Sequence, residues 1–348
     1  MQASPRRYRA APGPLRPQCT GERVGVPVLS MTAVASLGQQ LETAVGRVVV
    51  GRQTTVRHVL TALLARRHVL LEDVPGTGKT TLVKTLARAC GASSARLQCT
   101  PDLLPSDITG FNAYDPVQGV FRFREGPVFH HLLLVDEINR ASPKTQAALL
   151  ECMEEGQVSV DGVTYPLPVP FLVLATQNPV EYEGTFPLPE AQLDRFGLKL
   201  QMGYPSSSEE VALVERFIAD DPLPALEPVC GMAEIQEAQQ SCRRVYISDP
   251  VKEYAVAICA ETRKHPGVAL GASPRATLAM LALAQAWAAL GEREYVLPDD
   301  VKEIAPAALP HRIQLSSTAR WRQQTAEAVV RASLNVVPAP TGAALRRA

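Results

Sequence analysis

No stretch of this chain approaches the ~18 uninterrupted apolar residues that a membrane-spanning helix requires, so no membrane insertion is expected. Net charge is also missing: 35 Lys and Arg balance 35 Asp and Glu, which leaves no global basic field to draw in nucleic acid. The seven cysteines, at 19, 90, 99, 152, 230, 242 and 259, include no C-x-x-C pair. An odd, scattered set argues against a disulfide framework or a zinc site and for reduced thiols in a cytoplasmic protein. The first thirty residues lack an apolar core of the secretory kind, and they lack any acid before Glu22. Arg6, Arg7, Arg9 and Arg16 stand there among Pro5, Pro12, Pro14 and Pro17. That composition reads as a disordered tail, with a superficial likeness to an organelle transit peptide. Because Met31 is followed at once by a helical pattern, the expectation is that residues 1–30 are an upstream extension and Met31 the natural start.

What is present is ordinary for a soluble globular protein with room for two domains: 46% hydrophobic and 20% charged residues over 348 positions. The organising stretch runs from His68 to Leu82. The apolar run 68–72 breaks into Asp73-Val74-Pro75-Gly76-Thr77-Gly78-Lys79-Thr80-Thr81 and restarts as a helix. A triphosphate needs backbone N–H groups turned inward, a helix N-terminus and a lysine for its outer oxygens. Gly76 and Gly78 supply the turn, Lys79 the charge, and the Thr80 hydroxyl a ligand for magnesium. Asp73 occupies the place of the first glycine in the G-x-x-x-x-G-K-[ST] pattern. The competing reading is an ordinary strand-to-helix turn.

A second apolar strand, Leu132–Val135, ends in Asp136 and Glu137. Two carboxylates at the carboxyl end of a buried strand suit a site that holds magnesium through Asp136 and polarises water through Glu137. Phe171–Thr176 is a further strand delivering Gln177 and Asn178. Strands at 95–99 and 198–202 complete a parallel α/β sheet with helices on both faces. Val48, Val49 and Val50 fit either an adenine contact or plain core. Alternation in Val120–Arg124, and in 157–165 around Asp161-Gly162, gives two hairpins. Past Pro205 the pattern becomes helical, over 209–219, 231–243, 249–264, 274–290, 298–306 and 322–335.

These pieces resemble the AAA+ ATPases, and within them the MoxR type. The resemblance covers about residues 33–338, and five stretches carry it: 71–80, 136–141, 175–179, 188–196 and 271–276. An Asp at the first glycine position also occurs in that group. The resemblance implies a P-loop core over 31–205, with insertions near 103–129 and 157–168 that face a central pore. It also implies an all-helical lid over 206–340, hinged near Gly203–Pro205, before a short tail at 341–348. It makes Pro75 through Thr81 the ATP grip, Asn178 the water-orienting sensor, Arg275 the second sensor on the γ-phosphate and Arg195 the arginine finger. Arg140 stays an alternative for the finger, and a salt bridge to Asp194 or Glu190 the plain alternative for Arg195. ATP and Mg2+ are the implied cofactors. The implied assembly is a homo-oligomeric ring of six. Its implied work is remodelling, maturation or cofactor insertion of client proteins, among them proteins with a von Willebrand factor A domain. A nucleic-acid motor and a non-hydrolysing scaffold are the rival readings. Neutral charge and the missing helix-turn-helix speak against the first, and Glu137 against the second.

Overall fold

The structure, a computed structural model, describes residues 28–72, 76–178, 185–219 and 221–341. Asp73, Val74, Pro75 and Pro179, and the tails at 1–27 and 342–348, lie outside the described residues. The helices are α1 Met31–Gly46, α2 Gln53–Leu64, α3 Lys79–Ala89, α4 Pro105–Thr109, α5 Pro143–Glu155, α6 Glu190–Leu193 and α7 Ser207–Ala219, followed by α8 Met232–Arg244, α9 Asp249–Lys264, α10 Pro274–Leu290, α11 Pro298–Ala308, α12 Ser317–Trp321 and α13 Ala326–Val336. The strands are β1 His68–Glu72, β2 Ser94–Gln98, β3 Gly110–Asp115, β4 Val120–Glu125, β5 Leu132–Asp136, β6 Gln157–Val160, β7 Val163–Pro166, β8 Leu172–Gln177, β9 Phe196–Leu200, β10 Val268–Leu270 and β11 Gln314–Leu315.

Five strands form one parallel sheet in the order β2-β5-β8-β1-β9. The largely apolar, mostly buried runs of β1, β5, β8 and β9 are explained by layers on both faces, while the edge strand β2 is more polar and exposed. Alternate residues divide between them: Val69 and Leu71 join one core with α1, α2 and α3, while Leu70 joins a second with Leu149, Leu150 and Met153 of α5. Because all five strands run the same way, the sheet has a carboxyl edge and an amino edge, about 15 Å apart for strands of this length.

Helices α8–α11 and α13 share the first core with α1 and α2. Gly38 explains one close crossing: a Cβ added there would lie 2.3 Å from Leu290 Cδ2 at the end of α10. This region is not purely helical, since β10 and β11 pair as a short antiparallel ladder. Strands of two and three residues carry too little alternation to be read from sequence. Strand β9 begins at Phe196, two residues before the expected start. The folded unit also takes in residues assigned to the tail. Leu29 packs on the core, and Ser30 Oγ accepts from Ala33 N–H at 3.2 Å to cap α1.

Both hairpins form. At the 157–165 turn Asp161 and Gly162 have φ of 50° and 78°, the left-handed pair a two-residue hairpin turn requires. The hairpins brace one another: Phe123 stacks on Tyr165 with centroids 4.0 Å apart, and Asn112 donates to Asp161 at 2.6 Å.

Candidate active site

The carboxyl edge of the sheet gathers three strand ends. After β1, Gly76 and Gly78 take φ of 85° and 87°, and among the described residues no atom lies within 4 Å of a Cβ built on either. The glycine requirement there is conformational and not steric. Gly78 is the N-cap of α3, so the N–H groups of the helix's first turn lie at the end of the loop, at Lys79 and Thr80. After β5, Glu137 sits at φ 57°, ψ 51°, a left-handed conformation that costs a non-glycine residue about 1–3 kcal/mol and that clusters at functional sites. β8 brings Thr176 and Asn178 alongside. Together Gly76, Thr77, Gly78, Lys79, Thr80, Asp136, Glu137, Thr176 and Asn178 line a cavity of 360 Å³, joined by Arg96 and Gln98 of β2.

A hydrogen-bonded network fixes the two carboxylates. Thr176 Oγ1 accepts from the Glu137 N–H at 2.9 Å and donates to Asp136 Oδ1 at 3.3 Å. Arg96 Nε donates to Asp136 Oδ2 at 2.7 Å. Gln98 Nε2 and Arg140 Nη1 both donate to Glu137 Oε2, at 3.0 and 3.3 Å. Burial, with help from these two carboxylates, pushes the neighbouring Cys99 thiol up to about 12. Thr80 and Asp136 offer hard oxygen donors in one cavity beside the phosphate loop, a donor set that fits magnesium arriving with a triphosphate. Next to them a more apolar cavity of 280 Å³ is lined by Val48, Val49, Val50, Arg52, Thr81, Pro205 and Leu213 and shares Gly76–Gly78. Of the three valines, Val48 is buried in the core, and all three line this cavity.

Arg96 and Gln98 were missed by sequence reading. Their signal was available, since two polar residues at i and i+2 share one face of a strand, but their partners lie some 40 residues on. Arg140, offered as an alternative finger, bonds Glu137 of its own chain.

Arg195 and Arg275 are not in this cavity. Arg195 immediately precedes β9, at the sheet's amino edge. Its partner is neither Asp194 nor Glu190. Arg195 Nη2 pairs with Glu154 Oε2 at 3.0 Å, and Arg275 Nη2 with Glu154 Oε1 at 2.9 Å. Glu154 lies at the far end of α5, beside Met153, whose carbonyl accepts from His68 Nε2 at 3.0 Å at the start of β1. His68 Nδ1 in turn accepts from Val173 N–H, so the imidazole is neutral. Burial, with some help from Arg67, lowers its pKa to about 4 against the opposing pull of the Met153 carbonyl. Asp194 is engaged with Arg312 at 2.8 Å and Glu190 with Gln314 at 2.7 Å. The residues predicted for one site therefore fall into two groups on opposite edges of the sheet.

Comparison with known proteins agrees with this architecture. Residues 68–198 match the ATPase family associated with various cellular activities (AAA), and residues 260–333 match the AAA lid domain. The chain is 51% identical to the uncharacterized protein YeaC of Bacillus subtilis over 304 residues, 87% of this chain and 95% of that one. It is 41% identical to the chaperone MoxR1 of Mycobacterium tuberculosis over 305 residues, 85% of this chain and 80% of the relative. A crystal structure of a candidate ATPase from Cytophaga hutchinsonii superposes with a TM-score of 0.84 at 37% identity, covering 89% of this chain and 97% of that one. With its P-loop sheet, paired carboxylates and lid helices, the chain belongs to the MoxR-type AAA+ ATPases.

Proposed function

We propose that this protein hydrolyses ATP at the interfaces of a six-membered ring, each interface formed by the carboxyl edge of one subunit and the amino edge of the next. Lys79 and the first-turn N–H groups of α3 hold the outer phosphates, and the base lies against Val48–Val50. Thr80 and Asp136 would hold magnesium, which when bound neutralises phosphate charge. Glu137 takes the proton of the attacking water, and Asn178 orients that water. Arg195 and Arg275 reach the γ-phosphate of the neighbouring subunit, where planar, permanently charged guanidiniums offset the charge of the transferring group.

One observation carries this reading. Arg195 and Arg275 share Glu154 at the amino edge, away from the cavity of their own chain, so they can serve a nucleotide only across an interface. Turnover per subunit should accordingly rise steeply with protein concentration, in step with assembly followed by light scattering. Full turnover from a dilute monomer would contradict the ring.

The lid over 206–340, hinged near Gly203–Pro205, moves with the nucleotide. Gly203 has φ of 64° and its carbonyl accepts from Arg52 at 2.7 Å, which links the hinge to the base cavity. The work done is remodelling or maturation of client proteins in the cytoplasm, or insertion of a metal or cofactor, with a von Willebrand factor A domain protein as the first client to test. The chaperone naming of a relative at 41% identity supports this class of function. The first hairpin supports it physically, because Phe111, Tyr114 and Phe121 are exposed. Glu137→Gln, which should bind ATP without releasing it as product, is the bait for a pull-down. Recovery of no von Willebrand factor A protein under ATP removes that class of client.

A further inference from the structure

We infer that Glu154 is a positioning residue for the ATPase reaction: it holds Arg195 and Arg275 side by side as one two-guanidinium unit, ready to enter the neighbouring subunit's site together. This rests on the reading above that both arginines act across an interface.

Each Glu154 oxygen takes one guanidinium, Arg275 at 2.9 Å and Arg195 at 3.0 Å, so a single carboxylate is the only bridge described between two residues that lie 80 positions apart. The setting is short of negative charge. Burial above all, with a smaller contribution from the charge of Arg275, lowers the pKa values of Arg67 and Arg312, while Asp194, another acid near them, is engaged with Arg312. The guanidiniums of Arg67, Arg195, Arg275 and Arg312 thus stand with the carboxylates of Glu154 and Asp194, and the buried Nε atoms of Arg67 and Arg195 have no hydrogen-bond partner among the described residues. Such a cluster has spare capacity for an anion. Glu154 satisfies one charge of the pair and leaves the other for an incoming phosphate.

Helix geometry adds a second reason. Arg275 is the second residue of α10, where a cation opposes the helix dipole. The Glu154 carboxylate compensates it there. Arg275 is 54% exposed and Arg195 28%, so both can turn toward a neighbour without unpacking the core. Glu154 itself is held in place by α5, a rod about 20 Å long. The start of that rod is tied to the segment after Glu137: Gln146 Nε2 donates to the carbonyls of Ile138 and Ala141, at 3.1 Å each. The residue that aligns the arginines for the neighbour is therefore mounted on the helix that leads out of its own site.

The test is steady-state ATPase kinetics on the full chain at assembled concentration, for Glu154→Gln, Glu154→Asp, Arg195→Ala and the Glu154→Gln/Arg195→Ala double variant. Glu154→Gln should lower kcat about 10- to 100-fold with KM for ATP within twofold, since the cavity that binds the nucleotide is untouched. Glu154→Asp should recover part of the loss. In the Arg195→Ala background Glu154→Gln should cost less than half as much, on a logarithmic scale, as it does alone. A kcat for Glu154→Gln within twofold of wild type overturns the inference. So does an equal loss in both backgrounds, which would mark a merely structural role. A fully active Arg195→Ala would sink the underlying reading of trans-acting arginines, whatever Glu154 does.

Discussion

The carboxyl edge of the central sheet and its amino edge are built from the same five strands, yet they carry opposite chemistry. At the carboxyl edge the chain places glycines, a lysine, threonines and two carboxylates around a cavity that suits a phosphate chain. At the amino edge it places an excess of arginine over acid around Glu154, with no phosphate loop near. Each edge has what the other lacks. A parallel sheet cannot bring its two edges together within one chain, but repetition of the chain around a ring can. On the proposed reading, topology divides the catalytic set between the two edges, and assembly into a ring would complete it.

The first way to break this comparison is to empty one edge. Lys79→Ala should weaken nucleotide affinity by at least about 100-fold, because the lysine and helix N-terminus share the phosphates. A fluorescent ATP analogue titrated against the variant checks it, and unchanged affinity would remove the loop from its role. Emptying the other edge should leave binding alone. Arg195→Ala is expected to keep ATP affinity while turnover drops about 10³-fold, the usual scale for a finger arginine. A drop in affinity instead would move Arg195 into its own subunit's cavity. Glu137→Gln should lose about 10²-fold or more in turnover while binding ATP normally, as expected of a lost general base. Burst and steady-state phosphate release distinguish that from slow product release.

The smallest effect concerns stability. His68 ties the amino edge of β1 to the end of α5 beside Glu154, and its pKa is lowered from 6.5 to about 4. The unfolded chain binds the proton more readily, so this contribution is complete above pH 6.5 and is lost as pH falls toward 4. It amounts to about 3 kcal/mol at most. His68→Gln, whose amide can both accept from Val173 and donate to Met153, should show a flatter fall in denaturation midpoint across that window. Identical pH profiles would show that His68 does not carry the effect.

Much of this was legible in the sequence where the signal is local. The phosphate loop follows from Gly76, Gly78 and Lys79 in one turn, the hairpin from Asp161-Gly162, and the helices past Pro205 from their helical pattern. Four of the sheet strands, β1, β5, β8 and β9, are mostly buried, largely apolar runs, while β2 is a more polar edge strand. Other features depend on pairs brought together only by the fold. Glu154 looks like any surface acid of α5 until α10 and β9 pack beside it, and Arg96 and Gln98 look like polar positions on an edge strand until β5 aligns with them. The same limit governed Arg275. The resemblance implies a γ-phosphate role for it, but its pairing with Arg195 on one carboxylate at the amino edge, the basis of the proposed action in trans, is visible only in three dimensions.

Complementation between two inactive variants tests the division most directly. Lys79→Ala retains an intact amino edge and Arg195→Ala an intact carboxyl edge, so neither alone should turn over ATP at more than a small fraction of the wild-type rate. Mixed in equal amounts and allowed to exchange subunits, they should regain a substantial share of wild-type turnover, because about a quarter of randomly formed interfaces pair two intact edges. A mixture no more active than the sum of its components would contradict the account.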